Sequence, residues 1–513
     1  MSSFTYLYIW LRDRYGLDPR SLALLRIGLG SILLYDLTNR FIYLLDHYTD
    51  SGVLPRWALT QKVMGPWDLS LHLVAGNSAI ISIFFGVGII AAVCILIGYK
   101  TRLALVASLV LLISLHQRNP LILQSGDHVI KMLLFWSIFL PVSERFSLSQ
   151  PLNNGSNKKI FNVASFGLMM QIITLYVLAG FAKMAERHWL GGDALFLAFA
   201  ARDISGELGQ ALIGFPKFLK FATENTLYFE ILVPFLLLVP WKNAWIRLVL
   251  IAIYSVFHIA IGFTLNVAIF IFVPLIAWSA LLPGCFWNWI RVGQSVGHYG
   301  ADLKIRLKNQ VKIKKSRALS FLRTSFLGLC IFLISSWTYY SLPGMGNGFP
   351  QMFKPFFLTL GLSQSYGVFA VTLPRAGWFW IPAQLSDGSR VELSINGTER
   401  IFRKNPPDMD PSNRLNDRWG KYIESLTGGF WFLRENHGIY LCEQWKKNNS
   451  TKRNLETFVI YYVTTKINTD GAYSSKRVEN LWTHECTAGA VDKWKAEFLC
   501  QLPGETCDAA KKL

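Results

Sequence analysis

Nine apolar runs recur along the chain. With its flanks, each is long enough for the roughly 30 Å hydrocarbon core of a bilayer, which takes about 20 helical residues to cross. They are Leu22 to Leu45, Ala79 to Ile97, Leu103 to Leu115, His128 to Pro141, Ala164 to Met184, Tyr228 to Pro240, Leu248 to Thr264, Asn266 to Leu282 and Phe321 to Leu342. The third, fourth and sixth are short and need their flanks or the shelter of neighbours. Only a thin break near Leu265 separates the seventh from the eighth, so the expected count is nine, give or take one. Lipid offers the backbone no hydrogen bonds, so these runs must be α-helices.

Charge divides the chain in the same way. Met1 to Leu342 holds 30 Lys/Arg and 15 Asp/Glu, about 13% of its residues, and Pro343 to Leu513 holds 21 and 17, about 22%. A soluble domain carries roughly 25%. The expected fold class is therefore a polytopic α-helical membrane protein of about nine transmembrane helices, with a small C-terminal α+β extramembrane domain. Its divisions are a transmembrane helical domain over 1–284, a basic cytoplasmic loop over 285–319, a final transmembrane helix over 320–342 and a soluble outer domain over 343–513. This reading excludes a disordered chain and a typical cytosolic enzyme.

The net charge of +19 could point to nucleic acid. Most of the excess, however, sits in short loops between apolar runs, where the cytoplasmic preference of Lys and Arg explains it. No nucleic-acid partner is expected. With the N-terminus inside, the inside segments collect 18 basic residues and the outside segments fewer than half as many. The strongest signal is Lys304 to Arg317, with seven basic residues and no acid, which belongs against the anionic inner leaflet. An odd number of spans then places the last domain outside the cytoplasm, and the first span reads as uncleaved. Cys442, Cys486, Cys500 and Cys507 fall in that domain, where disulfides persist, though no spacing fixes their pairing. No metal motif is found.

In the outer domain, Gly377 to Leu393 alternates around an Asp387-Gly388 turn and reads as a hairpin. Asn413 to Trp445 has helical spacing, and Leu455 to Lys466 with Tyr473 to Glu485 reads as a second strand pair. Two glycosylation sequons, at Asn396 and Asn449, matter only in a eukaryotic host.

Ionisable residues inside a membrane are costly and mark function by default. Arg26, Asp36 and Arg40 lie in the first run, the last two spaced to pair on one helix face. Asp127, His128 and Lys131 open the fourth run, with Asp127 in reach of Lys131. Lys183 ends the fifth after small residues, and His258 sits in the seventh. The topology puts Lys183, His128 and His258 in the outer half of the bilayer. If they meet, desolvation would leave Lys183 neutral and able to act as a base.

Three blocks carry a family resemblance: LALLRIGLGSILLYDL with HYTDSGVLPRWAL (Leu22 to Leu59), RNPLILQSGDHVIKMLLFWSIFLPVSERFSL (Arg118 to Leu148) and YVLAGFAKMAERHWLGGDAL (Tyr176 to Leu195). They resemble the horizontally transferred transmembrane (HTTM) domain shared by vitamin K-dependent gamma-carboxylase and bacterial membrane proteins. The later QSYGVFAVTLPRAGW and NDRWGKYIESL resemble the soluble tails of bacterial members.

The resemblance implies an enzyme coupling oxygenation of a reduced vitamin K-type quinone (hydroquinone) to carboxylation of protein glutamate. It implies Lys183 as the base that deprotonates the hydroquinone and His128 as its assistant, with His258 matching a later histidine. His258, Asp127, Lys131 and Arg26 complete the expected substrate and cofactor site. Lys131 has no clear counterpart in the carboxylase, and the outer third does not match its large lumenal part. The implied partners are membrane lipid and a secreted peptide or protein substrate. The alternative is a non-enzymatic membrane scaffold for maturation, export or immunity of a secreted peptide.

Overall fold

Capping residues decide where the apolar runs begin and end as helices. The computed structural model describes residues 3–149, 158–201, 204–290, 317–340, 351–364, 367, 370, 375–400, 417–428, 430–449, 453–468 and 473–487. Its first long helix, α1 (Pro19–Ile42), starts at Asp18, whose carboxylate accepts from the Arg20 backbone N–H, with Pro19 at the first helical position. Asn77 caps α2 (Ser78–Ile97) in the same way through Ile80, and Gly98 closes that helix in the left-handed region at φ 76°. After α3 (Thr101–Arg118), α4 (Ser125–Ile138) opens with a capping box between Gln124 and Asp127. The same device, built from Asn162 and Ser165, opens α5 (Val163–Met184). The helical part is completed by α6 (Pro216–Leu232), which runs on as a 3-10 segment to Leu238, and by α7 (Asn243–Thr264), α8 (Phe272–Ser279) and α9 (Arg317–Tyr340).

Among the described residues, five helices are long and apolar enough to cross a membrane: Pro19–Ile42, Ser78–Ile97, Val163–Met184, Pro216–Leu238 and Asn243–Thr264. The other four runs take different forms. α3 has 18 residues and carries Arg102 and Arg118, while α4 has only 14. The run from Asn266 folds as a 3-10 turn, Ala268–Ile271, followed by the eight residues of α8 with Pro274 among them. The shorter apolar stretch Thr324–Trp337 lies within α9.

Apolar side chains face outward as well as inward. On α2, Ile81, Phe85 and Ile95 are buried while Ile83, Val87 and Ile90 stay exposed, the arrangement expected of a helix whose outer face meets lipid. Gly30 lets α1 and α2 close together, since a Cβ there would stand 2.6 Å from the Leu96 backbone nitrogen.

Beyond the helices, β1 (Arg375–Leu385), β2 (Arg390–Leu393), β3 (Glu399–Arg400), β4 (Leu455–Ile467) and β5 (Tyr473–Glu485) form one antiparallel sheet in the order β3-β2-β1-β4-β5. Both hairpins read from the sequence are present, the first turning at Asp387-Gly388 with Gly388 at φ 79°. The helical stretch divides into α10 (Asp417–Thr427) and α11 (Trp431–Asn448). A disulfide between Cys442 and Cys486 ties α11 to the end of β5. Cys500, Cys507 and the basic stretch from Lys304 to Ser316 lie outside the described residues.

One apolar cluster unites the two parts. Leu37, Tyr48, Ile81, Phe85 and Ile122 from the helical part share it with Trp419, Tyr422, Leu433 and Phe458. Two histidines are buried there with no hydrogen bond to either ring nitrogen among the described residues, His47 against Trp419 (centroids 4.7 Å apart) and His437. Burial first, then the Arg40 and Arg418 cations, pushes His47 down to about 3. Burial, aided by His484, pushes His437 to about 3 as well. Both are thus neutral in the fold, and their contribution is complete above the unfolded histidine value near 6.5. It is lost as pH falls from there toward 3, at about 1.4 kcal/mol per pH unit for each histidine. Thermal unfolding of the detergent-solubilised protein is expected to fall in midpoint between pH 7.5 and 5, with a shallower slope in His437→Phe; a midpoint flat over that range would contradict this.

Candidate functional site

Two buried polar clusters hold or adjoin all but one of the ionisable residues singled out in the sequence. The first is a ring of charges where α1, α4 and α10 meet. Arg40 donates through Nε to Asp36 at 2.7 Å, one helical turn away as its spacing requires, and through Nη2 to Asp127 at 2.7 Å. Arg418, from the C-terminal domain, closes the ring. It reaches Asp36 Oδ1 at 2.7 Å and both Asp127 oxygens, at 2.5 and 2.9 Å. It also donates to the Ile122 carbonyl at 3.0 Å, and Arg40 to the Tyr48 hydroxyl at 2.7 Å. All four charged side chains are buried. Two carboxylates and two forked guanidiniums satisfy one another, the arrangement that makes buried charge tolerable.

The second cluster lies between α5, α6, α7 and α8. Lys183 Nζ, on the last turn of α5, donates to Glu230 Oε2 at 2.7 Å, and both side chains are buried. Gly180 makes that contact possible: a Cβ there would stand 2.5 Å from Ile231 Cγ1 and 3.3 Å from Glu230 Cβ, holding α6 off. The Trp189 ring lies 5.3 Å from the Lys183 ammonium. Alongside, Tyr176 Oη sits 2.7 Å from His258 Nε2 and accepts from Trp278 Nε1 at 2.7 Å, and Tyr254 stacks on Trp278 at 4.5 Å. With Trp278 N–H donated to it, the Tyr176 hydroxyl hydrogen is free to bond His258 Nε2. His258 Nδ1 is buried and has no hydrogen-bond partner among the described residues.

The sequence-flagged residues therefore separate. Lys183 and His258 share the second cluster. His128 belongs beside the first: it is half-buried, with Nδ1 3.2 Å from the Ser363 carbonyl, and Lys131 follows one turn later, buried. Asp127, spaced to reach Lys131, instead gives its oxygens to Arg40, Arg418 and the Gln124 N–H. The clusters adjoin across the 3-10 turn. Phe270 edges His258 at 6.0 Å, while Ile269 and the Phe270 backbone lie within 4 Å of where a Gly126 side chain would begin. Arg26 is used up elsewhere, donating to the carbonyls of Val142, Ile95, Leu96 and Phe146, so that it caps the end of α2 and the loop after α4.

Two residues of these clusters escape a reading of the sequence. Glu230 is the one charge in Tyr228 to Pro240 and had the same signal as the others, an ionisable group in an apolar run. Arg418, in NDRWGKY, looks like any solvated helix residue.

A cleft of about 380 Å³ opens between the 50–57 loop and α11, lined by Asp50, Arg56, Trp57, Asn436, Tyr440 and Glu443. A much smaller apolar cavity is lined by Leu33, Phe84, Phe85 and Leu112. Lys183, His128 and His258 line neither.

A model of the HTTM domain matches residues 15–287, more than half of the chain. The chain belongs to the HTTM domain family. No curated protein and no solved structure matches it. Within this HTTM protein, the match contains the whole Lys183 cluster and three members of the charge ring, and Arg418 reaches it from 131 residues beyond the match.

Removing Arg418 leaves Asp36 and Asp127 facing one guanidinium in a buried site, a loss of about 3–5 kcal/mol. Arg418→Met is expected to free the C-terminal domain for limited proteolysis between residues 340 and 420, with the helical part still folded by circular dichroism. A wild-type cleavage pattern would contradict this.

Proposed function

We propose that this HTTM protein is a vitamin K-dependent gamma-carboxylase-like membrane enzyme, with the Lys183–Glu230 pair as its base. The observation that carries this reading is the 2.7 Å contact of a buried lysine with a buried glutamate inside the HTTM match. Such a pair shares one proton between two acceptors and takes up a second as a unit. An acid brought against the pair delivers that second proton to the Glu230 carboxylate, and the Lys183 ammonium left beside it offsets the charge of the anion formed. Tyr176 orients His258 through Nε2, which leaves Nδ1, unpartnered among the described residues, available to a substrate.

The surroundings fit a reduced quinone. Tyr254, Phe229, Phe257 and Trp278 supply aromatic faces, and His258 Nδ1 supplies a polar contact for a hydroxyl. When bound, such a quinol would supply the oxygen-driven basicity that removes a γ-proton from glutamate. The chain's own residues would hold it and accept its first proton. His128, on the neighbouring cluster, assists from the side of the C-terminal segment, where Ser363 fixes its ring.

In this reading the chain crosses the membrane about nine times, with its N-terminus in the cytoplasm and its last domain outside. The charge bias of the loops and the Cys442–Cys486 disulfide support that side. A scaffold role is the second reading, favoured by the closure of the Lys183–Glu230 contact into an ion pair that could serve packing alone.

Membranes given reduced quinone, hydrogen carbonate and a Glu-rich peptide are expected to form γ-carboxyglutamate. Lys183→Ala should abolish this, and Glu230→Gln should lower it at least 10²-fold, the lower end of what a positioned acid or base contributes. Full turnover in Lys183→Ala would overturn the mechanism, and full biological function in that variant would favour the scaffold.

A further inference from the structure

The cleft between the 50–57 loop and α11 lies apart from both buried clusters, and several contacts fix its walls. On one side, the Asp50 N–H donates to the Gly76 carbonyl at 3.0 Å, and the Asp50 carboxylate holds Arg56 through the Arg56 backbone N–H at 3.0 Å and Nη2 at 2.7 Å. Gly76 allows this approach, since a Cβ there would run into the Asp50 carboxylate. Arg118, fully buried, holds the same loop through the Thr49 carbonyl at 3.0 Å and the Leu54 carbonyl at 2.9 Å. On the other side, the Tyr440 hydroxyl donates to Asp46 at 2.8 Å and fastens α11 to the helical part. A concavity of about 380 Å³ with both walls fixed is preorganised for a small ligand.

The groups that line it have unequal needs. Asp50 and Arg56 satisfy each other. Glu443 is exposed and makes no ion pair or hydrogen bond among the described residues. Asn436 is 5% exposed, and its Nδ2 has no hydrogen-bond partner among the described residues. Trp57 and Ile439 expose apolar surface at the same cleft. An acceptor, a donor and an aromatic face therefore stand together unmet. A simple anion is repelled by Glu443, a simple cation leaves the Asn436 N–H without an acceptor, and an apolar molecule serves neither. A pyranose serves all three. Its hydroxyls both donate and accept, and its C–H face rests on the negative π face of an indole.

We propose that this cleft binds a saccharide of one or two hexose rings, with Trp57 as the stacking platform, Glu443 accepting from a sugar hydroxyl and Asn436 donating to a sugar oxygen. Its volume falls at the lower end of ligand pockets, roughly 300–1,000 Å³, which suits a ligand of that size. The site goes beyond the Lys183 chemistry and stands without it, because its test reads binding and not turnover.

The test is isothermal titration calorimetry of the purified full chain at pH 7.5, in a polyoxyethylene detergent that brings no sugar headgroup into the sample. Glucose, N-acetylglucosamine, maltose and cellobiose are titrated, with glycerol as a polyol without a ring, choline chloride as a cation and sodium acetate as an anion. A saturable heat at one site per chain is expected with at least one of the sugars, at a Kd of about 1 mM or below, and not with glycerol, choline or acetate. Trp57→Ala and Glu443→Gln, both at exposed positions, should each weaken that binding at least tenfold while leaving the thermal unfolding midpoint unchanged. The proposal is overturned if no sugar gives a saturable heat, if both variants bind as the wild type does, or if choline or acetate binds where the sugars do not.

Discussion

A charge buried in apolar surroundings must find its opposite, and in this chain that requirement decides how the two parts meet. Asp36 and Arg40 can pair within one helix, but Asp127 on α4 adds a second carboxylate to the same pocket. Only another cation makes the site neutral, and it comes from α10 of the C-terminal domain as Arg418. Desolvation makes any incomplete version costly. The apolar cluster around Trp419, Tyr422 and His47 then packs around the ring and supplies the bulk of the contact. Hydrophobic burial gives the interface its area, while the ring fixes its register.

The same physics places the second cluster. Lys183 and Glu230 come from helices that approach closely because Gly180 has no side chain. Around them, tyrosine, histidine and tryptophan form a hydrogen-bonded chain with aromatic faces. In the proposed reading, the pair and the aromatic walls beside it receive an apolar acid. The two clusters meet at the 3-10 turn between α7 and α8, so chemistry at one lies close to the domain contact at the other.

Much of this was legible from the residues. Apolar runs and a low charge fraction give the helical part, alternation gives both hairpins, and four-residue spacing gives the Asp36–Arg40 pair. The span count was harder to read, because hydropathy cannot see that Pro274 and a 3-10 turn divide the eighth run or that α4 stops at 14 residues. At the site, local spacing put Lys131 within reach of Asp127, but a long-range partner took the carboxylate first. Arg418 has no local signal at all, since its role arises from a contact 291 residues distant in sequence. Burial of charge could be anticipated; its partners could not.

The central claim is that the helical part and the C-terminal domain are held in register through the ring. Hydrogen exchange of the backbone amides of α10, compared between wild type and Asp127→Asn, tests this most directly. The substitution lies in the helical part and leaves the sheet untouched, so the account predicts faster exchange along Asp417 to Thr427 with β4 and β5 protected as before. Protection of α10 unchanged by Asp127→Asn would contradict it.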